Sequence, residues 1–257
     1  MGETSRVFPM RFSPEPERMV RFLEVLGLRR VLESERGGYA AFEGAAGSVA
    51  VHSVEGADSD VANGVTSLNV LVADVDATAA VLREAGLDAD AWDEAYGRQG
   101  AVRTPRGAAG LNEATPADLY GYRAVEGGDA PLTDVIAVWY SDDFARDAAF
   151  FAHLGFTPEG SLDDPWWCAL WGADGAGGIG LHTPDPASVE TPVDASGWLE
   201  HPALVRLGFE TREPLDALVA RLRDAGYDSA RLTADEAGPK VVLTDPDGQY
   251  LEIHPRA

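Results

Sequence analysis

The chain has 257 residues, 45% of them hydrophobic and 25% charged, with a formal net charge of −23. That length and composition suit one large or two small globular domains with a real core. The charge disfavours nucleic acid and anionic lipid, which are bound through Lys/Arg contacts to phosphate, and no apolar run reaches the roughly 18 residues of a membrane span.

The start, Met1 to Phe12, has no apolar leader region, so a cytoplasmic protein is expected. Lys240 is the only lysine, and with the Ala/Gly richness this is a usage associated with GC-rich bacterial genomes. Cys168 is the only cysteine, which rules out an internal disulfide and a cysteine metal cluster. It sits in the apolar stretch Trp166–Trp171 and reads as a buried thiol rather than a nucleophile.

One unit recurs along the chain at roughly 60–70 residues. A strand is expected over Val7–Phe12, then an amphipathic helix carrying Met19, Phe22, Leu23 and Leu26 and ending at Gly27-Leu28. Strands follow at Tyr39–Glu43 and Ser48–Val54. The second copy has a strand over Ser67–Val72, a helix carrying Val75, Ala79 and Leu82 that ends at Gly86-Leu87, and strands near Gly100–Arg103 and Gly110–Glu113. The third has Val135–Tyr140, a helix carrying Phe144, Ala148 and Phe151 that ends at Gly155-Phe156, then Trp166–Trp171 and Gly178–His182. The fourth has Val205–Glu210, a helix carrying Leu215, Leu218, Val219 and Leu222 that ends at Gly226-Tyr227, then Lys240–Thr244 and Tyr250–His254. Apolar residues at helical spacing give each helix one buried face. Glycine followed by an apolar residue is a left-handed C-cap with its hydrophobic contact. Ser13-Pro14, Asp74, Ser141-Asp142 and Thr211 are the expected N-caps.

Tyr120–Pro131 has no sustained periodicity and reads as a linker. It divides the chain into expected domains 1–127 and 128–257. Two long polar loops, Val54–Val65 and Thr183–Pro202, separate the units within each half, and the second carries Trp198.

The fourfold order, together with Leu154-Gly155-Phe156, Ala225-Gly226-Tyr227 and Asp245-Pro246-Asp247-Gly248-Gln249-Tyr250-Leu251-Glu252-Ile253, resembles the vicinal-oxygen-chelate superfamily of glyoxalases, bleomycin-resistance-type proteins and extradiol dioxygenases. The resemblance implies an α+β fold of two tandem domains, each a pair of βαβββ units that form a curved mixed sheet around a cleft. It also implies, for metal-dependent members, ligands on the first strand of each unit and on closing strands, usually His, His and Glu, with an open coordination site. Carried onto this chain, those positions are Val135, Arg206, Gly180 and Glu252 in the second half, and Val7, Ser67, Ala50 and Asn112 in the first. Of these only Glu252 is a good ligand, since arginine has no lone pair to offer.

Strand alternation then gives an expected second-half cleft of Trp139, His182, Arg206, Glu252 and His254, an aromatic wall with convergent polar groups. Arg206 and Glu252 read either as an ion pair closing the cleft or as a site where Arg206 holds a ligand oxygen. The histidines read either as residues of the sheet rim or, with Glu252, as a weak metal set of His182, Glu252 and His254. Five of the six tryptophans lie in the second half, so that half is the expected binder. The expectation is a monomer or homodimer that binds a small organic molecule in a cleft without a cofactor, with drug sequestration as one form of that role. The alternative is a glyoxalase-like lyase or dioxygenase using Fe, Zn, Ni or Mn.

Overall fold

The structure, a computed structural model, describes residues 5–56, 63–104, 107–114, 121–184 and 205–256. The first unit contains β1 (Arg6–Val7), β2 (Met10–Ser13), α1 (Pro16–Val25), β3 (Arg29–Ser34), β4 (Tyr39–Glu43) and β5 (Ser48–Ser53). The second contains β6 (Thr66–Ser67), β7 (Asn69–Leu71), α2 (Val75–Glu84), β8 (Asp88–Glu94), β9 (Gly97–Thr104) and β10 (Gly107–Asn112), and β11 (Tyr122–Ala124) follows. The third contains β12 (Thr133–Tyr140), α3 (Phe144–Ala152), β13 (Thr157–Glu159), β14 (Trp167–Trp171) and β15 (Gly178–His182). The fourth contains β16 (Val205–Thr211), α4 (Leu215–Asp224), β17 (Arg231–Asp235), β18 (Gly238–Thr244) and β19 (Tyr250–Pro255).

The chain is α+β and repeats the βαβββ unit four times. Units three and four share one eight-stranded sheet, ordered β13-β14-β15-β12-β16-β19-β18-β17. Its two opening strands, β12 and β16, are antiparallel, and each runs parallel to the closing strand of its own unit. Units one and two pair in the same way, but the expected single opening strands are interrupted. Arg6–Val7 pairs with β7, while Met10–Ser13 pairs with β5 and β6. Pro9, which has no N–H for a ladder, lies in the break, and two sheets result, β1-β7-β10-β9-β8 and β11-β3-β4-β5-β2-β6.

The helix ends are as the sequence dictates. Gly27, Gly86, Gly155 and Gly226 all have φ between 82° and 96°, a conformation side chains resist. The residue after each glycine donates its N–H back across the last turn: Leu28 to Leu23, Leu87 to Leu82, Phe156 to Phe151 and Tyr227 to Leu222. Of the expected starts, only Asp74 is the cap itself. Asp74 caps α2 through the Ala77 N–H at 2.8 Å, and Asp143 caps α3 through Arg146. Ser13, Ser141 and Thr211 instead accept from the N–H two residues ahead, forming turns that lead into α1, α3 and α4.

The supposed linker is partly structured: its β11 strand adds to the edge of β3, with Tyr122 opposite Ser34. The halves are joined by backbone as well as side chains. Val7 N–H donates to the Ala176 carbonyl, Gly47 to Gly175, Ala45 to Thr133 and Val135 to Ala46. Phe22 of α1 meets Tyr227 edge-on at 5.1 Å, and Arg221 of α4 donates to the Val25 carbonyl.

Candidate functional site in two concave faces

The sheets leave a concave face in each half, on the side away from the helices. In the first half it encloses a cavity of about 930 Å³. Phe8 and Met10 enter from the opening strand and its break, Tyr39 from β4, His52 from β5, and Trp92 and Tyr96 from β8 and its turn. Tyr122 comes from β11, so the segment between the halves closes this wall. Tyr39 and Tyr122 meet edge-on at 5.3 Å, Tyr96 and Tyr122 at 6.5 Å, and Tyr39 and His52 at 6.0 Å. Burial pushes the Tyr39 phenol well above its ordinary range, with Tyr122 and Tyr96 adding to the effect, so it stays neutral.

The floor is built of carboxamides. Asn69 donates to Ser67 at 2.9 Å, and Asn112 donates to Gln99. Gly110 allows this floor to form, because a Cβ there would meet the Asn69 oxygen at 2.0 Å. The charged residues of the lining are Arg6, Glu43, Glu94 and Glu113. Arg6 lies 3.7 Å from Glu43, Glu94 accepts from the Trp92 indole at 2.7 Å, and Glu113 accepts from the Val75 N–H at the start of α2. Sequence reasoning placed the binding cleft in the second half because the tryptophans lie there. The enclosing aromatic side chains here are mainly tyrosine and phenylalanine, drawn from β2, β4, β8, β11, the break between β1 and β2 and one turn, and no local motif marks them.

The second concave face holds most of the residues expected from the sequence. Glu252 and His254 lie side by side, 3.2 Å apart. Glu252 also accepts from Lys240 at 2.5 Å and from the Tyr250 hydroxyl at 3.1 Å. Burial pushes the Glu252 carboxyl up, but hydrogen bonds from His254 and Lys240 and the charges of Arg206 and Lys240 outweigh it and hold the group at about 2. The expected Arg206–Glu252 contact is replaced by this Lys240 pair, and Arg206 lies instead over the Tyr250 ring at 5.7 Å. His182 is on β15, with β12 and β16 between it and β19, and its Nδ1 meets the Thr183 carbonyl at 2.7 Å.

Trp139 is on the other side. Val135, Ala137 and Trp139 belong to the helix-side core, while Ile136, Val138 and Tyr140 face the concave side. Trp139 packs on Phe151 and donates to Asp147 at 3.0 Å. The expected alternation is thus one residue out of phase on β12: every residue of that strand is apolar or buried, so the sequence carries no polar marker of its face. Trp167 and Trp171 occupy the concave side that Trp139 was expected to line. The Trp167 ring lies on Gly180, and Arg256 stacks on Trp171 at 3.8 Å. Trp198 lies outside the described residues.

No protein-family model matches the chain, and no curated protein matches it. Solved structures do. A variant of 4-hydroxymandelate synthase from Streptomyces coelicolor superposes with a TM-score of 0.64 at 15% identity, covering 100% of this chain and 93% of that one. A variant of homoprotocatechuate 2,3-dioxygenase from Brevibacterium fuscum gives 0.59 at 14%, covering 100% and 72%. The 2,2',3-trihydroxybiphenyl 1,2-dioxygenase of Sphingomonas wittichii gives 0.55 at 17%, covering 99% and 90%. The fold is therefore the one that the sequence resemblance implied, in the tandem form shared with these dioxygenases and this synthase.

This corrects the expectation that no cofactor is involved. The proteins sharing the fold are dioxygenases and a synthase, so a divalent metal is the cofactor the fold implies. The described side chains do not fit such an ion. Among the described residues no group of three His, Cys, Asp or Glu is placed to hold a metal. The weak set of His182, Glu252 and His254 is split between β15 and β19, with β12 and β16 lying between them, and Glu252 is already held by Lys240, His254 and Tyr250.

Proposed function

We propose that the protein binds a small aromatic molecule in the first-half cavity. The observation that carries this reading is the enclosure of about 930 Å³ between an aromatic wall and a carboxamide floor. Such a mixture of apolar walls and a few fixed polar groups suits a ring bearing hydrogen-bonding substituents. The wall supplies edge-to-face contacts and the floor supplies orientation. Trp92 and Tyr96 at the mouth make binding observable by intrinsic fluorescence.

The test is a thermal-shift and fluorescence screen of phenols, catechols and polycyclic natural products on the full chain. A ligand of the folded state raises the melting temperature with concentration. Tyr122→Ala, which opens one wall, should abolish the shift. Absence of any stabilising aromatic, or an undiminished shift in the variant, would remove the proposal. Sequestration of a drug-like compound is one role such binding serves.

A second reading, turnover of an aromatic substrate by a ring-cleaving or related metal-dependent enzyme, is supported by the structures that share the fold. Elemental analysis of protein purified without chelator, with oxygen uptake on catechols, tests it. Stoichiometric Fe, Zn, Ni or Mn with uptake favours the enzyme, and a clean null on both favours the binder. As a further constraint, no helix among the described residues is long and apolar enough to cross a membrane.

A further inference from the structure

The second half carries a cation that the cavity reading leaves unused. Arg206 projects from β16 onto the concave face and is 6% exposed. Its Nε and Nη1 are buried without a hydrogen-bond partner. Every nearby acid is committed elsewhere. Glu252 is taken by Lys240, His254 and Tyr250, and Asp235 by Lys240 at 2.7 Å. Glu210 is taken by Arg256 at 3.0 Å. A guanidinium withdrawn from water without a matched anion is costly to keep, and its planar fork is shaped for two oxygens of one carboxylate.

The surroundings say what kind of anion fits. Val138 is directly beside Arg206 on β12, and Gly180 is the next position across, on β15. Gly180 has no side chain, and the Trp167 ring occupies the space above it, 38% exposed at the rim. Tyr250 flanks the guanidinium on the opposite side. The cation therefore sits between aromatic surfaces on an apolar floor. We propose that this second concave face is a binding site for a small organic acid, whose carboxylate pairs with Arg206 and whose apolar body lies against Trp167. The site is separate from the first-half cavity. The Glu252 carboxylate nearby disfavours a dianion, so a monocarboxylate is preferred to phosphate.

The test compares thermal unfolding of the full chain in acetate, benzoate and inorganic phosphate, for the wild type and for Arg206→Met and Arg206→Lys. Benzoate should stabilise the wild type more than acetate does, and phosphate should have little effect. Arg206→Met should abolish the benzoate shift while melting in plain buffer at or above the wild-type temperature, because an apolar chain of similar volume replaces an uncompensated charge. Arg206→Lys should weaken benzoate by at least about tenfold through loss of the fork. Three results would each overturn the proposal: no wild-type shift with either carboxylate, an equal shift in Arg206→Met, or stabilisation by phosphate alone. A marked fall in the melting temperature of Arg206→Met in buffer would do the same, since it would make Arg206 a structural cation.

Discussion

Arg11 of the first half and Asp245 of the second form an ion pair at 3.0 Å whose side chains are 1% and 0% exposed. Around it, Arg11 donates to the Gly64 carbonyl at 2.6 Å, and the Ser13 hydroxyl donates to Asp247 at 2.7 Å. Asp245 is itself fixed by its turn, accepting from the N–H groups of Asp247 and Gln249. The same Asp-Pro-Asp-Gly turn that marks the end of the fourth unit thus docks that unit against the first.

Breaking this pair from one side strands the other charge in the interior, which typically costs about 3–5 kcal/mol. Arg11→Met and Asp245→Asn should each lower the unfolding free energy by that much, seen as a lower denaturant midpoint. The double variant should lose less than the sum, because it leaves no orphan charge. Additive losses in chemical denaturation would show that the two residues act independently.

Asp247 titrates in the opposite sense to a stabilising carboxylate. Burial pushes its carboxyl up, against the lowering effects of Ser13 and Arg11, so the folded state disfavours the ionised form. A raised carboxyl contributes stability that is complete below its ordinary pKa and is lost as pH rises through the folded value. Asp247→Asn should therefore match or exceed the wild-type melting temperature at pH 7 and lose that advantage at pH 3. A loss at pH 7 would mean that the Ser13 hydrogen bond outweighs the desolvation.

Glu252 has the reverse sign. Its carboxyl is held at about 2 against an ordinary value of 4.5. The stability it supplies, up to about 3 kcal/mol, is present above pH 4.5 and disappears as pH falls toward 2. Lys240→Met removes one partner and should shift this acid transition to higher pH. Unfolding followed by circular dichroism from pH 6 to pH 2 reads the difference.

Gly180 and Trp167 are coupled by space. A Cβ at position 180 would come within 1.8 Å of the Trp167 ring. The ring is 38% exposed, so it can swing outward while the strand stays in place. Gly180→Ala should cost only about 1–2 kcal/mol and red-shift tryptophan emission. An unchanged emission spectrum with a large stability loss would place the strain in the backbone.

The architecture was legible because its signals are local and repeated. Gly27, Gly86, Gly155 and Gly226, each followed by an apolar residue, mark four helix ends, and all four fold as that pattern requires. What could not be read depends on facing and closure. The strands after the second and fourth helices, Asp88–Glu94 and Arg231–Asp235, are mostly exposed and rich in charge, and little apolar content marks them. Along Thr133–Tyr140 all eight residues are buried, so neither phase of the strand was distinguished and Trp139 was assigned to the wrong face. Glu252 and His254 were placed together because polar and apolar residues alternate on their strand. The first-half cavity gave no signal, since its walls come from distant segments that only the folded sheet brings together.

The short strand Tyr122–Ala124 has a practical bearing on dissecting the molecule. A fragment of the first half that stops before residue 122 would shed an edge strand together with the aromatic ring that seals its pocket. A fragment cut beyond that point would still expose the main-chain groups of Val7, Ala45 and Gly47 that normally bond across to the other half. Ligand measurements on an isolated half would then report a damaged vessel, so the intact polypeptide is the proper object for every assay of binding.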